Sequence, residues 1–388
     1  MTLAATVTLE EAARRTWGAV VVGAGPAGAT AARELARRSV TVLLVDRAAF
    51  PRWKVCGCCL NGRAAAVLRK AGLGALTAGC RAVPLECIQL AAGGRQARVP
   101  LAGGVALSRE AFDAALVRAA VEAGADFLPM TRAILADDAP QNAKGGAVRA
   151  VRLRQGEREV RAEARVVLAA DGLAGQFLAH ADAASETAPG ARVGAGATAA
   201  DAPDFYRRGV IYMACGAGGY AGLVRLEDGR LDVAAAFDAA RVRADGGPGR
   251  AAARLVREAG WPAPDLLAEL SWRGTPALTR RRTRVAEDRV FVLGDAAGYV
   301  EPFTGEGMAW ALASGVAVAP LAARAVERWR PELARRWETL HRRVVTRRQA
   351  VCRIAAAVLR RPRLIGLFVR LLAGAPMLAY PVVRYISH

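Results

Sequence analysis

Two glycine turns, at residues 23–28 and 294–298, each end an apolar strand, and each has a carboxylate within reach: Asp46 for the first and Asp295 for the second. In Gly23-x-Gly25-x-x-Gly28 the glycines permit a tight turn and a close backbone approach. The helix beginning at Pro26 and Ala27 offers unpaired N–H groups and the positive end of its dipole to a pyrophosphate. Asp46, followed by Arg47, closes the next strand, where a carboxylate can bind ribose hydroxyls. Two such turns so far apart suggest one long dinucleotide gripped at both ends, which points to FAD. Three further groups could do chemistry: the thiols Cys56, Cys58 and Cys59, the carboxylate Glu306, and the aromatics Tyr212, Tyr220, Tyr299 and Phe303 as pocket residues.

The elements that must position these residues are legible as patterns. Residues 17–22 read as a buried strand, 26–38 as an Ala-rich helix and 40–45 as a second strand, a βαβ unit. A loop rich in Pro, Gly and Cys spans 50–62, and a helix follows near 63–71. Residues 85–99 alternate weakly as two short strands. Ser108 caps an amphipathic helix over 109–123 with Glu110 in its first turn. Residues 127–170 read as strands around a turn at 141–146, the last feeding the glycine turn Ala170-Asp171-Gly172. Gly-punctuated strands over 190–240 suggest an antiparallel sheet, and a long Ala-rich helix runs from Gly307 to about 328. Thr8-Leu-Glu-Glu11 reads as a short capped helix leading into the first strand.

Gly23 to Gly28 with Asp46, Ala170-Asp171-Gly172, and Gly294-Asp295 followed by Pro302-Phe-Thr-Gly-Glu-Gly307 resemble the three signatures of the FAD-dependent group that includes aromatic hydroxylases, flavin halogenases and geranylgeranyl reductases. The resemblance covers roughly residues 17–325. It implies that Asp295 binds the ribityl chain. It also implies that Pro302, Gly305, Glu306, Gly307 and Met308 run beside the isoalloxazine, and that Arg109 contacts the phosphate or ribose side. A helix dipole at that position would stabilise an anionic reduced flavin. The run Pro51-Arg-Trp-Lys-Val-Cys-Gly-Cys-Cys-Leu60 is similar to the Lys-x-Cys-Gly-x-x-Leu loop of geranylgeranyl reductase-like proteins, which implicates Lys54 and Cys56. Gly298 agrees with that branch, since hydroxylases usually place His there. The chain lacks the Trp and Pro of reductases and halogenases near 219–225, and Gly175 and Leu178 replace the Ser and Arg of hydroxylases.

Cys56, Cys58 and Cys59 are read three ways: packing beside cofactor or substrate, a functional thiol (Cys56 or Cys59), or metal ligands. Zinc would want two well-spaced ligand pairs, and the three histidines, 180, 341 and 388, lie far away in sequence. Glu306 is a candidate flavin-side acid or a carboxylate stabilising a helix start. No histidine matches a general-base position.

Composition bounds the rest. The 388 residues are 53% hydrophobic and 23% charged, a globular balance. Of the +20 formal charge, most comes from arginine, and residues 324–388 carry 15 Arg against Glu327, Glu332 and Glu338. Such a surface attracts nucleic acid, anionic lipid or a phosphorylated substrate. The basic region lacks interleaved stacking aromatics, so nucleic acid is not expected. Residues 364–383 are apolar but interrupted by Arg370, Pro376 and Pro381, which fits an interfacial element or a cavity cover better than a spanning helix. Seven cysteines without regular spacing, and charges where a leader needs an apolar run, suggest reduced thiols in a cytoplasmic protein, peripheral on the inner face of the membrane.

These readings predict an α/β fold: a Rossmann-like FAD-binding domain (15–82, 100–180, 275–325), an interleaved antiparallel β-sheet substrate domain (83–99, 181–274) and a helical C-terminal region (326–388). The expected activity is FAD-dependent oxidoreduction of a hydrophobic small molecule or lipid, with NAD(P)H or a partner as electron donor. Double-bond reduction of an isoprenoid is favoured by resemblance. Hydroxylation of a lipophilic aromatic or polyketide is the alternative, and non-catalytic electron transfer at a membrane surface is a further one. Oligomeric state is not legible.

Overall fold

The computed structural model describes residues 2–101, 103–136, 147–178, 185–262, 264–301, 303 and 305–387; the turn expected at 141–146 falls outside them. The strand Thr16–Val22 stands at the centre of the first sheet because Trp17, Ala19, Val20 and Val21 are buried on both faces, as a parallel strand covered by helices requires. It pairs in parallel with Val42–Val45 and Arg158–Ala169; these pair in parallel with Asp126–Leu128 and Val290–Val292 respectively. Arg158–Ala169 also carries an antiparallel extension, Arg149–Gln155 and then Arg132–Leu135. The helix Pro26–Ala36, shorter than expected, packs against the helix Gly307–Glu327. Gly315 makes that approach possible: a Cβ there would lie 2.5 Å from the Ala27 carbonyl oxygen.

The carboxyl ends of four parallel strands therefore converge, and the turns that follow them carry Gly23, Asp46, Asp171 and Asp295. Ligands of open parallel sheets bind in the crevice outside those ends.

The second sheet has seven strands in the order Arg273–Ala277, Val193–Ala199, Leu231–Phe237, Gly219–Arg225, Val210–Gly216, Cys87–Ala92 and Arg95–Pro100. It is antiparallel except where Val210–Gly216 meets Cys87–Ala92, and it runs across the boundary expected at 274. One face buries Leu223, Val233 and Ala235 against Leu255 and Val256 of the helix Pro248–Glu258. The opposite face carries Tyr220, Ala236 and Met213 and faces the first domain and the C-terminal helices.

After Gly307–Glu327 come Pro331–His341, Gln349–Leu359, Pro362–Gly374 and Tyr380–Ser387. The apolar stretch 364–383 is broken by the short turn Pro376–Ala379. Among the described residues one helix, Gly307–Glu327, is long and apolar enough to cross a membrane; 61% of its apolar window is buried inside the protein. Trp337 anchors the C-terminal region: it is fully buried, stands edge-on to Phe291, and its Nε1 donates to the Val292 carbonyl at 3.0 Å. Trp337→Ala is expected to cost roughly 3–5 kcal/mol of stability, read as a lowered urea midpoint followed by circular dichroism.

Candidate active site

At the first glycine turn, backbone shape is set by what a side chain would strike. A Cβ on Gly23 (φ +99°) would lie 2.3 Å from the Ala170 oxygen, and one on Gly28 would lie 1.8 Å from the Gly23 oxygen. Gly25 caps the helix Pro26–Ala36 without a side-chain hydrogen bond, leaving its first N–H groups directed outward. The nearest atoms to a Cβ at Gly25 are Arg52 Nη2 at 3.6 Å and Arg109 Nη2 at 3.9 Å. Two guanidinium groups thus face a helix N-terminus, an anion site by geometry and by charge.

Both arginines are held from behind. Arg109, the first residue of the helix Arg109–Glu122, bonds Asp113 through Nε (2.9 Å) and Nη2 (2.7 Å), and Asp113 is fully buried. Arg52 reaches Asp113 at 3.3 Å and Asp46 at 3.7 Å. Asp46 accepts from Ala24 N (2.8 Å) and Ala48 N (2.9 Å), so its carboxylate is locked across the turn. A cavity of about 430 Å³ begins here, lined by Gly23, Asp46, Arg47, Arg52 and Lys54 among others.

At the second turn, Gly294 has φ +62°, and a Cβ would sit 2.8 Å from Ala27 Cβ. Its N–H donates to Ser314 Oγ at 3.1 Å. Burial pushes the Asp295 carboxyl upward, with Lys54 and Arg109 pulling it back. Burial and then the nearby Arg109 push Lys54 downward. Lys54 Nζ lies 3.2 Å from where a Cβ on Gly172 (φ +80°) would stand. Asp171 organises the adjoining turn by accepting from Phe177 N at 2.9 Å.

A second cavity, about 490 Å³, starts at Lys54, Cys56, Asp295 and Gly305 and continues between the second sheet and the C-terminal helices. Arg47, Lys54, Asp171 and Ala174 line both cavities, so the two adjoin end to end as a two-part channel. Its first half is polar and cationic; its far half is walled by Ile88, Leu90, Val99, Met213 and Leu278. FAD fits this arrangement. The glycines leave room for its backbone-hugging pyrophosphate, Arg52 and Arg109 face that charge, and Asp46 and Asp295 stand at the two ribose-like ends.

The candidate residues fall into distinct places. Tyr220, Tyr299 and Phe303 line the second cavity, with Tyr220 and Phe303 edge-on at 5.1 Å. Tyr212 does not. It lies on the opposite sheet face, packed against Tyr206 and Trp261, with its hydroxyl bonded to the Phe205 oxygen and Arg207 N. The register pairs Tyr212 with Leu223 and Cys215 with Tyr220, which sends the two tyrosines to opposite sides. Glu306 also stays out of the cavity: at the head of Gly307–Glu327 it is fully buried, receives the Cys352 thiol at 3.3 Å and lies 3.9 Å from Arg63. That placement corrects its reading as a flavin-side acid. Met308 is buried in the core and Gly307 sits 3.3 Å (as a Cβ) from Tyr299 Oη. Pro302 lies outside the described residues.

Cys56, Cys58 and Cys59 are unbridged thiols. Cys58 sits in the left-handed region (φ +49°) and turns its side chain toward Cys56. That hydrogen bond lowers Cys56 to about 6; burial opposes the shift and Arg109 assists it. Burial pushes Cys59 up. Among the described residues no three His, Cys, Asp or Glu side chains gather as a metal site.

Sequence reasoning passed over Arg52, Asp113 and Arg192. Arg52 stands inside the quoted Pro51-Arg-Trp-Lys run, and its place beside a proline-started loop was the available signal. Asp113 lies four residues after Arg109, the spacing of a helical ion pair. Arg192 carried no signal. It is buried, with Glu301 at 3.1 Å, Asp238 at 3.3 Å and the Leu359 carbonyl at 3.3 Å.

These features define a flavoprotein oxidoreductase with a Rossmann-like cofactor cradle. The chain belongs to the FAD binding domain family, which matches residues 17–347, and it is an FAD-dependent oxidoreductase. A menaquinone reductase from Mycobacterium tuberculosis (strain H37Rv) is 56% identical over 55 residues, and one from Mycolicibacterium smegmatis is 54% identical over 54 residues. Those segments are 14% of this chain in each case, and 14% and 13% of the relatives. Among solved structures, a geranylgeranyl bacteriochlorophyll reductase-like protein from Thermoplasma acidophilum superposes with a TM-score of 0.76 at 19% identity, covering 92% of both chains. The flavin-dependent brominase Bmp2 gives 0.76 at 18% identity over 96% of this chain and 94% of its own. PqsL of P. aeruginosa, in complex with 2-aminobenzoylacetate, gives 0.72 at 21% over 91% of this chain and 100% of its own. At these identities the likeness is one of fold.

The Cys56 shift makes a pH prediction. Its thiolate is favoured in the native fold, so this stabilisation is complete above the ordinary value of 9.0 and is lost as pH falls through about 6. In flavin-stripped protein, iodoacetamide labelling of Cys56, followed by peptide mass spectrometry, should reach half its maximal rate near pH 6. Cys58→Ala should move that midpoint upward; an unchanged midpoint would mean that the Cys58 hydrogen bond is not the cause.

Proposed function

We propose that this protein reduces a carbon–carbon double bond in a long isoprenoid chain, such as that of a prenylated quinone. Electrons would come from NAD(P)H docking transiently or from a partner reductant, since no second dinucleotide fingerprint occurs in the sequence. The observation that carries this reading is the two-part channel: a cationic cofactor half opens into an aliphatic half at Asp295 and Gly305. Reduced FAD, held by the glycine turns, Arg52, Arg109 and Asp295, would supply a hydride to one alkene carbon, and a proton drawn from solvent would complete the other. The local identity to menaquinone reductases and the fold shared with a geranylgeranyl reductase-like protein support the substrate class.

The protein's own residues do the rest. Ile88, Leu90, Val99 and Leu278 exclude water from the chain of the substrate, which is bound by apolar burial at about 25 cal/mol per Å². Tyr299 keeps its proton across neutral pH because burial pushes its hydroxyl upward. Cys56 is the wall thiol that titrates near neutrality. The start of Gly307–Glu327, close to Tyr299, directs its dipole toward the same end of the cavity.

Oxygen insertion into an aromatic is the second reading. The Tyr220–Phe303 edge-on pair favours it by offering a flat ring a slot against the sheet.

Anaerobic mixing separates the two. Photoreduced holoprotein mixed with menaquinone should be reoxidised faster than without it, and mass spectrometry should find two hydrogens added to the prenyl chain. No anaerobic reoxidation, together with a labelled oxygen atom incorporated from ¹⁸O₂ into an aromatic substrate, would overturn the reductase.

A further inference from the structure

The C-terminal helix Pro362–Gly374 carries two apolar stripes about a third of a turn apart, one buried and one exposed. Ile365, Val369 and Leu372 are buried against Leu90, Ala97 and Val99 of the edge hairpin of the second sheet. Beside them, Leu364, Leu367, Phe368 and Leu371 repeat at the i, i+3, i+4, i+7 spacing of a single stripe and are exposed. A helix that serves only as a lid needs the first stripe and not the second.

The second stripe is continuous with more exposed apolar groups. Past the break at Gly374, the turn Pro376–Ala379 projects Met377 (85% exposed) and Leu378, followed by Tyr380. Ile354 on the preceding helix is exposed as well. Eight of the ten large hydrophobic side chains exposed among the described residues lie between 354 and 380. Scattered exposed leucines are ordinary, whereas a contiguous patch marks an interaction surface.

The charge around the patch selects the partner. From residue 339 to the end the sequence holds ten arginines and no Asp or Glu. Arg353, Arg360, Arg361, Arg363, Arg370 and Arg384 are exposed beside the apolar groups. A second copy of the chain would bring the same cationic surface against itself, because a two-fold interface uses one patch on both subunits. An anionic phospholipid surface takes both features at once: arginine heads pair with lipid phosphates while leucine and methionine enter the acyl boundary.

The patch also meets the cavity. Phe368 is exposed and lines the cavity, together with Leu372, Ala379 and Val383. The apolar half of the cavity therefore reaches the surface at the patch through Phe368.

We infer that the helices of residues 349–387 dock on an anionic bilayer and that a lipid substrate passes from the membrane interior into the cavity beside Phe368 without crossing water. The delivery role rests on the isoprenoid reading above; the docking surface does not.

Vesicle flotation tests it with full-length, FAD-loaded protein and vesicles of phosphatidylcholine alone or mixed with phosphatidylglycerol. The protein should float with the mixed vesicles, and added salt should weaken the association. Leu367→Asp with Leu371→Asp should cut the bound fraction about tenfold or more, with the flavin spectrum and melting temperature unchanged. Arg363→Gln and Arg370→Gln, on the solvent side of the helix, should each lower partitioning about fivefold, on anionic vesicles only. Absence of flotation, or leucine and arginine variants that float as well as the parent, would overturn the surface. So would a dimer seen by light scattering that the leucine variant splits while neither form binds vesicles. A protein that floats but leaves embedded menaquinone unreduced would retain the surface and overturn the chemistry.

Discussion

The buried Asp113 carboxylate is the constraint on which the cofactor half of the molecule depends. It is shared by Arg109, through two hydrogen bonds, and by Arg52. With Asp113 between them and Asp46 beside Arg52, the two guanidinium groups present N–H donors at Gly25, where the helix N-terminus adds the positive end of its dipole. Burying an arginine without such a partner would cost several kcal/mol. Holding both arginines against Asp113 keeps them aimed before any ligand arrives, so little is lost in ordering them around a pyrophosphate. Further along, Asp295 lies within the field of Lys54, so a carboxylate and an ammonium face each other where the cradle meets the second cavity.

How much of this was legible follows from the range of the interactions concerned. The glycine turns were readable because their residue type is dictated locally, by positive φ and by backbone that approaches within a methyl radius. Ser108 was readable because a cap bonds three residues ahead, to Ala111 N. Tyr212 and Tyr220 were not separable, since which face each takes depends on how two strands pair across a turn. Glu306 looked like a cofactor-side acid because its motif lies beside the flavin in similar proteins. Its direction is set by Arg63 and Cys352, which are distant in sequence.

The thiol cluster shows the same division. Three cysteines in four positions announce unusual chemistry without saying which sulfur carries it. The left-handed backbone at Cys58 turns one thiol toward the next, and the buried Arg109 supplies the charge that completes the asymmetry. Neither the turn nor the arginine's approach can be inferred from Cys56-Gly-Cys-Cys59 alone. Their result is two neighbouring sulfurs with pKa values driven apart, Cys56 down and Cys58 up.

Arg192 ties together three segments around the apolar cavity. Its guanidinium binds Glu301 shortly before the helix Gly307–Glu327, Asp238 at the end of a sheet strand, and the last carbonyl of the helix Gln349–Leu359. Its planar group also lies over Tyr220, which stands edge-on to Phe303. A buried ion pair contributes little net stability against an apolar substitute, but it admits few geometries. Three distant segments meeting at one planar fork must therefore hold their relative positions, and the segment at Glu301, the end of a sheet strand and the end of the helix Gln349–Leu359 are set as one body. Because Tyr220 of the cavity wall packs on this fork and Phe303 on Tyr220, the shape of the apolar cavity between Asp295 and Phe368 is set by the same buried ion pair.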